Sequence, residues 1–318
     1  LVGLFAGNFS IQDAEWIIET TDPGGRASLA KHQSKSWGVP LEGLTLKLIK
    51  AQATPDEYLG KAHEIMTLLS LAVGNGVTSY RQIADWGDQG TMEVWCKMTG
   101  DEIGPGAIVP DFQLGRFLEQ VLPQWRQWDQ NKKSEVYLAI TYINLSGTGY
   151  VDTRIFQICQ AWEFLATSWL PQGELDDLEQ SLRNKVKSAY QTWKIENPGV
   201  DPDGKWGSRI LFPFRWPVAK RQIESLVQSR NIDSSRIGID WEALWSVRNN
   251  VAHTGRMPLE MASDRDSAYQ LLTAARFGLQ ILLLVELGYS DLIITGREGW
   301  KAYPKIVDFL RQDRPEMH

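Results

Sequence analysis

The spacing of apolar residues divides the chain into a first part of mixed strands and helix and a second part that is nearly all helix. In four short segments, β-branched and aromatic residues alternate or cluster between glycine and proline turns, which predicts strands. These segments are 14–21, 44–50, 77–83 and 92–98, with residues 86–90 as a hairpin-like turn before the last of them. The first part is therefore predicted to contain a β-sheet.

One helix is predicted among these strands. Thr54 is a favourable N-cap, Pro55 suits the first helical position, and the acidic residues that follow suit the positive end of a helix. Apolar residues then recur at helical spacing as far as Gly74, where the pattern ends.

In the second part, helical periodicity continues almost without interruption. It predicts helices over 112–128, 135–145, 154–170, 174–193, 218–230, 240–255 and 259–287, and a short strand or turn over 289–295. Small residues at 147–150 separate two helical patterns and indicate a domain boundary. We therefore expect an α+β protein, with a mixed α/β domain over 1–148 and an all-α up-and-down bundle over 149–318.

The composition is typical of a soluble globular protein, since 43% of the 318 residues are hydrophobic and 23% are charged. Cys96 and Cys159 lie in apolar segments without metal or redox spacing, which favours buried free thiols in a reducing compartment. No signal peptide is visible, and the most apolar run, 279–287, is too short to span a bilayer. We expect a cytoplasmic protein without membrane contact.

Charge is distributed unevenly along the chain. The net charge is −6, which argues against broad, non-specific binding to nucleic acid. Residues 181–256, however, hold 13 Lys/Arg against seven Asp/Glu, so this segment carries +6 and the remainder −12. The positive segment favours local contact with an anionic partner, or it forms solvated helix faces.

The segment 241–253 contains the strongest candidate chemistry. Its apolar positions follow helical spacing, but Arg248, Asn249 and His253 interrupt a plain core pattern. A permanently charged guanidinium beside an imidazole that titrates near neutrality suits cleavage of an RNA phosphodiester without a metal. The alternative is that a histidine at a helix end caps carbonyls or interacts with the helix dipole.

The spacing of Arg248 and His253 poses a geometric problem. Five positions on an ideal helix correspond to about 140° of rotation and about 7.5 Å of rise, so the two residues do not share one face. Three arrangements would bring them together. The last helical turn loosens, the long arginine reaches around the helix, or each residue works with its counterpart from a second protomer.

The pattern Arg-Asn-x-x-x-His near a helix end resembles the active-site motif of the HEPN ribonucleases. The segments 160–166, 244–255 and 281–289 resemble the HEPN domain of ApeA-like anti-phage proteins, and 54–74 is similar to their N-terminal domain. The resemblance covers most of the chain, while the loops match poorly. It implies a HEPN-like fold for the helical domain.

The resemblance also implies an activity, namely a metal-independent endoribonuclease that acts as an abortive-infection toxin in antiviral defence. Two active sites would merge across a homodimer of motif helices and leave 2′,3′-cyclic phosphate and 5′-hydroxyl ends. His253 is then the candidate acid or base, and Arg248 would hold phosphate oxygens. Asn249 would orient the histidine or a phosphate oxygen.

The expected partners are RNA, with tRNA as one candidate, and a second copy of the chain. Arg256, Lys220 and Arg221 are the candidate RNA-binding residues. A phage-derived or complex-forming protein is the candidate trigger, sensed by the front domain. No cofactor is expected, and with four histidines and two cysteines no metal site is expected either.

Two other functions compete with catalysis. One is a non-catalytic HEPN-like module that binds RNA or protein within a larger complex. The other is a structural subunit in which Arg248 and His253 make hydrogen bonds in the core. An open, positively charged cleft at a two-fold interface would favour the enzyme over both.

Overall fold

The computed structural model describes residues 9–21, 43–74, 76–85, 90–99, 107–170, 177–201, 205, 207, 219–295 and 302–311. The predicted turn at 86–90 and the predicted helix start at 174–176 lie outside these residues, except for Gly90. The described chain is α+β, as expected: an antiparallel sheet comes first and is followed mostly by helices.

Five strands form the sheet in the order β1-β2-β3-β5-β4. They are β1 (Ser10–Asp13), β2 (Trp16–Thr21), β3 (Gly43–Ile49), β4 (Gly76–Asp85) and β5 (Thr91–Thr99). The four predicted strands are confirmed. The edge strand β1 was not predicted, because its four residues offer a single buried apolar side chain, Ile11, and so no readable alternation.

Helix α1 (Pro55–Val73) covers the sheet and forms as predicted. A capping box begins it: Thr54 Oγ1 accepts from the Glu57 N–H at 3.3 Å, and the Glu57 carboxylate accepts from the Thr54 N–H at 2.7 Å. Gly74 ends it in the left-handed conformation, with φ of 66°. Nearly every residue from Tyr58 to Val73 on its inner side is buried, so α1 is the main helical contribution to the core beside the sheet.

The remaining described helices are α2 (Leu114–Gln127), α3 (Gln130–Leu145), α4 (Val151–Trp169), α5 (Asp177–Glu196), α6 (Ala219–Ser229), α7 (Ser234–Ile237), α8 (Trp241–Thr254), α9 (Leu259–Ser263), α10 (Arg265–Glu286) and α11 (Ile306–Arg311). The other seven predicted helices form in the predicted order, one of them divided into two, whereas α7 and α11 were not predicted. A 3-10 turn (Asp111–Gln113) precedes α2. At 289–295, where a short strand or turn is predicted, two isolated bridges pair Leu292 with Lys305 and Thr295 with Ala302.

Two helix boundaries differ from the prediction because of capping aspartates. Helix α3 begins at Gln130 rather than at 135, since Asp129 accepts a hydrogen bond from the Lys132 N–H at 2.8 Å. The predicted single helix over 259–287 is broken at Asp264, which leaves the helical conformation and caps α10 through the Ser267 N–H at 3.1 Å. Both changes are local hydrogen-bonding effects that apolar periodicity does not report.

The centre of the helical part is α4, which packs against α3, α6, α8 and α10. The apolar stripe of Trp241, Leu244 and Trp245 predicts that the motif helix α8 packs at the centre of the bundle, and this prediction is wrong. Helix α4 buries eight residues, including Ile155, Ile158 and Trp162, whereas α8 buries only Trp241, Leu244 and Val247. A helix with one buried stripe lies at the edge of a bundle and leaves its other face open.

One continuous hydrophobic cluster runs from the sheet through α1 to α4 and α10. Within it, the Trp162 indole donates to the Ala275 carbonyl at 3.0 Å and lies edge-on to Trp241, with ring centroids 5.4 Å apart. These contacts attach both α8 and α10 to α4. The motif helix is thus held by its N-terminal half.

Of the described helices, α10 alone passes a length and composition test for crossing a membrane. It has 22 residues, and its most apolar window has a mean hydropathy of 1.4. This window is 67% buried inside the protein, as in the core helix of a folded bundle.

Candidate functional site

The motif helix α8 has the boundaries that the sequence predicts. Asp240 caps it by accepting from the Ala243 N–H at 3.0 Å, and Gly255 ends it with φ of 69° while donating to the Val251 carbonyl at 2.9 Å. Because the left-handed residue follows His253, the helix is still regular where the histidine lies. The last turn therefore does not loosen at His253, and the first of the three arrangements is not found in this structure.

Arg248 is held by a carboxylate from the central helix. Its Nε lies 2.6 Å from Glu163 Oε1, and its Nη2 lies 2.9 Å from Glu163 Oε2. The two side chains are only 25% and 20% exposed. Two parallel, charge-assisted hydrogen bonds of this kind fix both the position and the plane of the guanidinium.

Asn249 provides a third contact to the same guanidinium. The Nη1 of Arg248 donates to Asn249 Oδ1 at 3.1 Å, and the Arg248 Cζ lies 5.7 Å from the ring centroid of Trp245. A guanidinium has five N–H groups, and three of them are used by Glu163 and Asn249. Among the residues that the structure describes, no partner takes the other two N–H groups, which are therefore available to a ligand.

Glu163 did not emerge from the sequence as a site residue. It occupies a polar position within the apolar stripe of α4, next to the buried Trp162 and near Leu165. A carboxylate beside buried apolar residues is a weak indication that it pairs with a specific cation. The partner is 85 residues away along the chain, so helical spacing alone cannot identify it.

Cys159 lies one helical turn before Glu163 and is a buried free thiol, as predicted. Burial raises the pKa of the thiol strongly, the negative charge of Glu163 raises it further, and Arg248 opposes the shift. The thiol is therefore protonated at neutral pH and is not a nucleophile. The side chain of Cys96 lies outside the described part of the structure.

His253 lies in solvent at the end of α8, and its ring makes no hydrogen bond or ion pair with any residue that the structure describes. Asn249 precedes it by four positions and is also exposed, so the two side chains are neighbours on one helix face. Asn249 thus connects the two ends of the motif. It binds Arg248 through its amide oxygen and lies beside His253.

The three candidate RNA-binding residues separate into two places. Arg256 is exposed, directly beyond the end of α8, and its N–H donates to Thr254 Oγ1 at 3.2 Å. It comes three residues after His253, so the structure places it close to the motif. Arg256 is therefore positioned to contact the same ligand.

Lys220 and Arg221 lie near the opposite end of the motif helix. Lys220 forms an ion pair with Glu242 in the first turn of α8 and a second one with Glu224 at 4.0 Å. The hydrogen bond with Glu242 raises the pKa of the Lys220 ammonium. Glu242 precedes His253 by 11 positions, or about 16.5 Å of helix. Within one chain, Lys220 and Arg221 therefore lie far from His253.

The structure tests the alternative that Arg248 and His253 only make hydrogen bonds in the core of a structural subunit. His253 is exposed, which contradicts this role for the histidine, whereas the ion pair of Arg248 is compatible with it. Among the residues that the structure describes, no three His, Cys, Asp or Glu side chains lie close enough together to hold a metal ion.

The chain matches no protein-family model, no curated protein and no solved structure. The assignment of a function therefore depends on the chemistry and geometry of the motif helix, together with the resemblance of its sequence to the HEPN motif.

Proposed function

We propose that the chain is a metal-independent endoribonuclease of the HEPN type. The observation that carries the proposal is the exposed end of α8, where Asn249 lies beside His253 and binds Arg248. Attack of a ribose 2′-hydroxyl on phosphorus needs a base, an acid for the leaving oxygen, and compensation of the charge that develops. Imidazole and guanidinium groups supply these functions without a metal.

Each motif residue has a role that its surroundings support. The exposed His253 can reach a bound RNA and acts as the acid or base. Arg248 directs its two remaining N–H groups to phosphate oxygens, while Glu163 keeps the guanidinium in place. Asn249 orients both neighbours. The products have 2′,3′-cyclic phosphate and 5′-hydroxyl ends.

The active form is proposed to be a homodimer of motif helices. In one chain Arg248 turns toward α4, while His253 lies about 140° around the regular helix. The guanidinium is engaged by Glu163 and Asn249, and no hydrogen bond joins it to His253 among the residues that the structure describes. A second chain, related by a two-fold axis, would place His253 of one protomer beside Arg248 of the other. Symmetric dimers of this kind are the commonest assembly.

The cellular role follows from the resemblance. We place the enzyme in the cytoplasm, as an abortive-infection nuclease that cleaves RNA, with tRNA as one candidate substrate. The front domain, residues 1–148, would sense a phage-derived or complex-forming protein and contribute no catalytic side chain.

A cleavage assay on labelled RNA tests the proposal. Wild-type protein should cleave in EDTA, and His253→Ala should lose about 10²- to 10⁴-fold in rate at an unchanged Tm, because the residue is exposed. Ser246→Ala is a matched control, since Ser246 is an exposed residue of the same helix outside the motif. Wild-type activity that vanishes with EDTA and returns with magnesium would refute the mechanism.

The second candidate function is a non-catalytic module that binds RNA or protein. The bidentate Glu163–Arg248 pair favours it, because such a pair also serves simply to attach α8 to α4. A pure binding module would retain RNA without cutting it. In that case Arg248→Ala would lower the Tm, and His253→Ala would change neither the Tm nor the RNA ends.

A further inference from the structure

Two arginines are buried in the helical part, and neither forms an ion pair with a carboxylate of the described residues. Arg276, in α10, is 0% exposed, and Arg154, in the first turn of α4, is 5% exposed. The Nη2 of Arg276 donates to the Gly74 carbonyl, and the Nε of Arg154 donates to the Ser146 carbonyl at 2.5 Å. Both acceptors are C-cap residues, of α1 and α3 respectively.

These contacts leave much of each guanidinium unsatisfied. The Nε and Nη1 of Arg276 and the Nη2 of Arg154 are buried without a hydrogen-bond partner in the part of the chain that the structure describes. Burial, and then the charge of Arg154, lowers the pKa of Arg276 to about 10. Arg276 is therefore still charged at neutral pH, and the two helix ends that the arginines bind lie beside one cleft, lined by Gly76 and by Leu145 and Thr148.

The helix ends compensate only part of this charge. The C-terminus of an α-helix is equivalent to about half a negative charge, so the ends of α1 and α3 together offset about one of the two positive charges. About one buried positive charge remains. Bound water could satisfy the free N–H groups, but it brings no negative charge.

We propose that Arg154 and Arg276 form a buried binding site for an oxoanion of the phosphate class. The planar N–H forks of two guanidinium groups match tetrahedral oxoanions in both charge and geometry. The anion would be free phosphate or the phosphate group of a larger ligand. This site is separate from the motif helix and does not depend on the ribonuclease function.

A cleft beside the site gives the larger ligand a place to bind. The two turns that the arginines hold also contribute to its wall, through Gly76 on one side and Leu145 and Thr148 on the other. The cleft has a volume of about 510 Å³, which suits a small molecule. Among the described residues no Lys, Arg, Asp or Glu lines it, whereas His63 does. The two arginines lie outside this lining, so they would hold only the phosphate group of such a ligand.

The first test measures thermal unfolding of the full chain in inorganic phosphate, with ionic strength held constant by sodium chloride. Saturating phosphate, at about 100 times Kd, should raise the wild-type Tm by about 4 °C. Arg276→Met and Arg154→Met should remove this shift. Arg265→Gln, at an exposed position of the same helix α10, should keep it, and so should Arg248→Ala, which removes the other candidate phosphate contact.

A second measurement needs no variant, in case loss of a buried arginine prevents folding. Wild-type protein is desalted and denatured, and the released anions are quantified by ion chromatography. About one phosphate or sulfate per chain supports a resident free ion. Stabilisation by adenosine monophosphate at far lower concentration than by phosphate supports a phosphate group on a larger ligand.

The proposal is overturned if no anion is released and neither phosphate, sulfate nor adenosine monophosphate shifts the Tm. An equal shift in a folded Arg276→Met variant would also overturn it, because the anion would then bind elsewhere. Neither result affects the RNA-cleavage assay, so this proposal and the proposed function fail separately.

Discussion

At the scale of single residues, the orientation of Arg248 depends on one carboxylate from another helix. Glu163 uses both of its oxygens on the guanidinium, and Asn249 takes a third N–H group. A freely rotating arginine on an exposed helix face would pay a large conformational entropy cost to bind a phosphate. The pair with Glu163 removes most of that cost before the proposed RNA ligand binds.

We predict that Glu163 and Arg248 are energetically coupled. Glu163→Ala leaves a half-buried guanidinium without its charged partner, so the free energy of unfolding should fall by about 1–3 kcal/mol. A double-mutant cycle with Arg248→Ala, measured by urea denaturation, should give a coupling energy of about 1–2 kcal/mol, since the partial exposure of both side chains weakens the pair. A coupling energy near zero would show that Glu163 does not position the arginine.

At the scale of elements, close approach between helices decides where a glycine is required. A Cβ on Gly278 of α10 would lie 2.7 Å from Ile237 Cγ2 and 2.7 Å from Ile239 Cδ1, and 3.3 Å from Trp162. On Gly60 of α1, a Cβ would meet nothing within 4 Å. The same substitution should therefore have opposite effects in the two helices.

We predict that Gly278→Ala destabilises the protein and that Gly60→Ala stabilises it. Alanine favours a helix over glycine by about 1 kcal/mol, which is the whole effect expected at Gly60. At Gly278, overpacking costs about 1–3 kcal/mol and outweighs this gain. Chemical denaturation of both variants measures the difference. Stabilisation by Gly278→Ala would mean that α10 does not approach the α7 segment as closely as described.

The capping box of α1 makes the stability of this helix dependent on pH. The Thr54 backbone N–H, the Lys50 ammonium and the Thr54 hydroxyl lower the pKa of Glu57 from its ordinary value of 4.5 to about 2. A depressed folded-state pKa contributes stability above the unfolded value, and the contribution is lost as the pH falls toward 2.

We therefore expect Glu57→Gln to change the acid limb of the stability curve. At neutral pH the variant should be less stable than the wild type, because the amide carries no charge. The difference should shrink between about pH 5 and pH 2, as the wild-type carboxylate becomes protonated. Thermal unfolding across this range measures it. A difference that stays constant with pH would contradict the assignment.

At the scale of the whole molecule, the proposed active site requires two chains. Helix α8 lies at the edge of the helical part, and its Asn249–His253 face is exposed. If Arg248 and His253 act across the two-fold axis, Arg248→Ala and His253→Ala are each inactive for different reasons. A mixed dimer of the two variants contains one intact site.

We predict that mixing the two variants restores activity. With random exchange of chains, half of the dimers are mixed and each has one of two sites, so about a quarter of the wild-type activity should return, given the two-fold symmetry. Refolding the variants together and measuring RNA cleavage tests this. Activity no higher than that of the separate variants would place the site within one chain. In a separate experiment, sedimentation as a monomer at micromolar concentration, with and without RNA, would exclude the dimer.

Much of the fold could be predicted because local patterns determine it. The four predicted strands, the capping of α1 by Thr54 and Pro55, and the limits of α8 at Asp240 and Gly255 all follow from nearest neighbours in the sequence. The break at Asp264, between α9 and α10, is also a local effect. It depends on a hydrogen bond from the Ser267 N–H to the Asp264 side chain, and the spacing of apolar residues does not predict such a bond. The central position of α4 depends on several packing partners at once, and no single helix encodes it.

The sequence by itself determined which residues bring chemistry to the motif helix, because the charge of Arg248, the amide of Asn249 and the titration of His253 belong to the side chains. It also determined that Arg248 and His253 lie on different faces, because helical geometry is the same in every protein. The tertiary structure alone decided what each residue contacts. Glu163 reaches Arg248 from 85 residues away, His253 is left in solvent, and Arg154 and Arg276 are buried at two helix ends. Such contacts join distant parts of the chain, and only packing of the whole core brings those parts together.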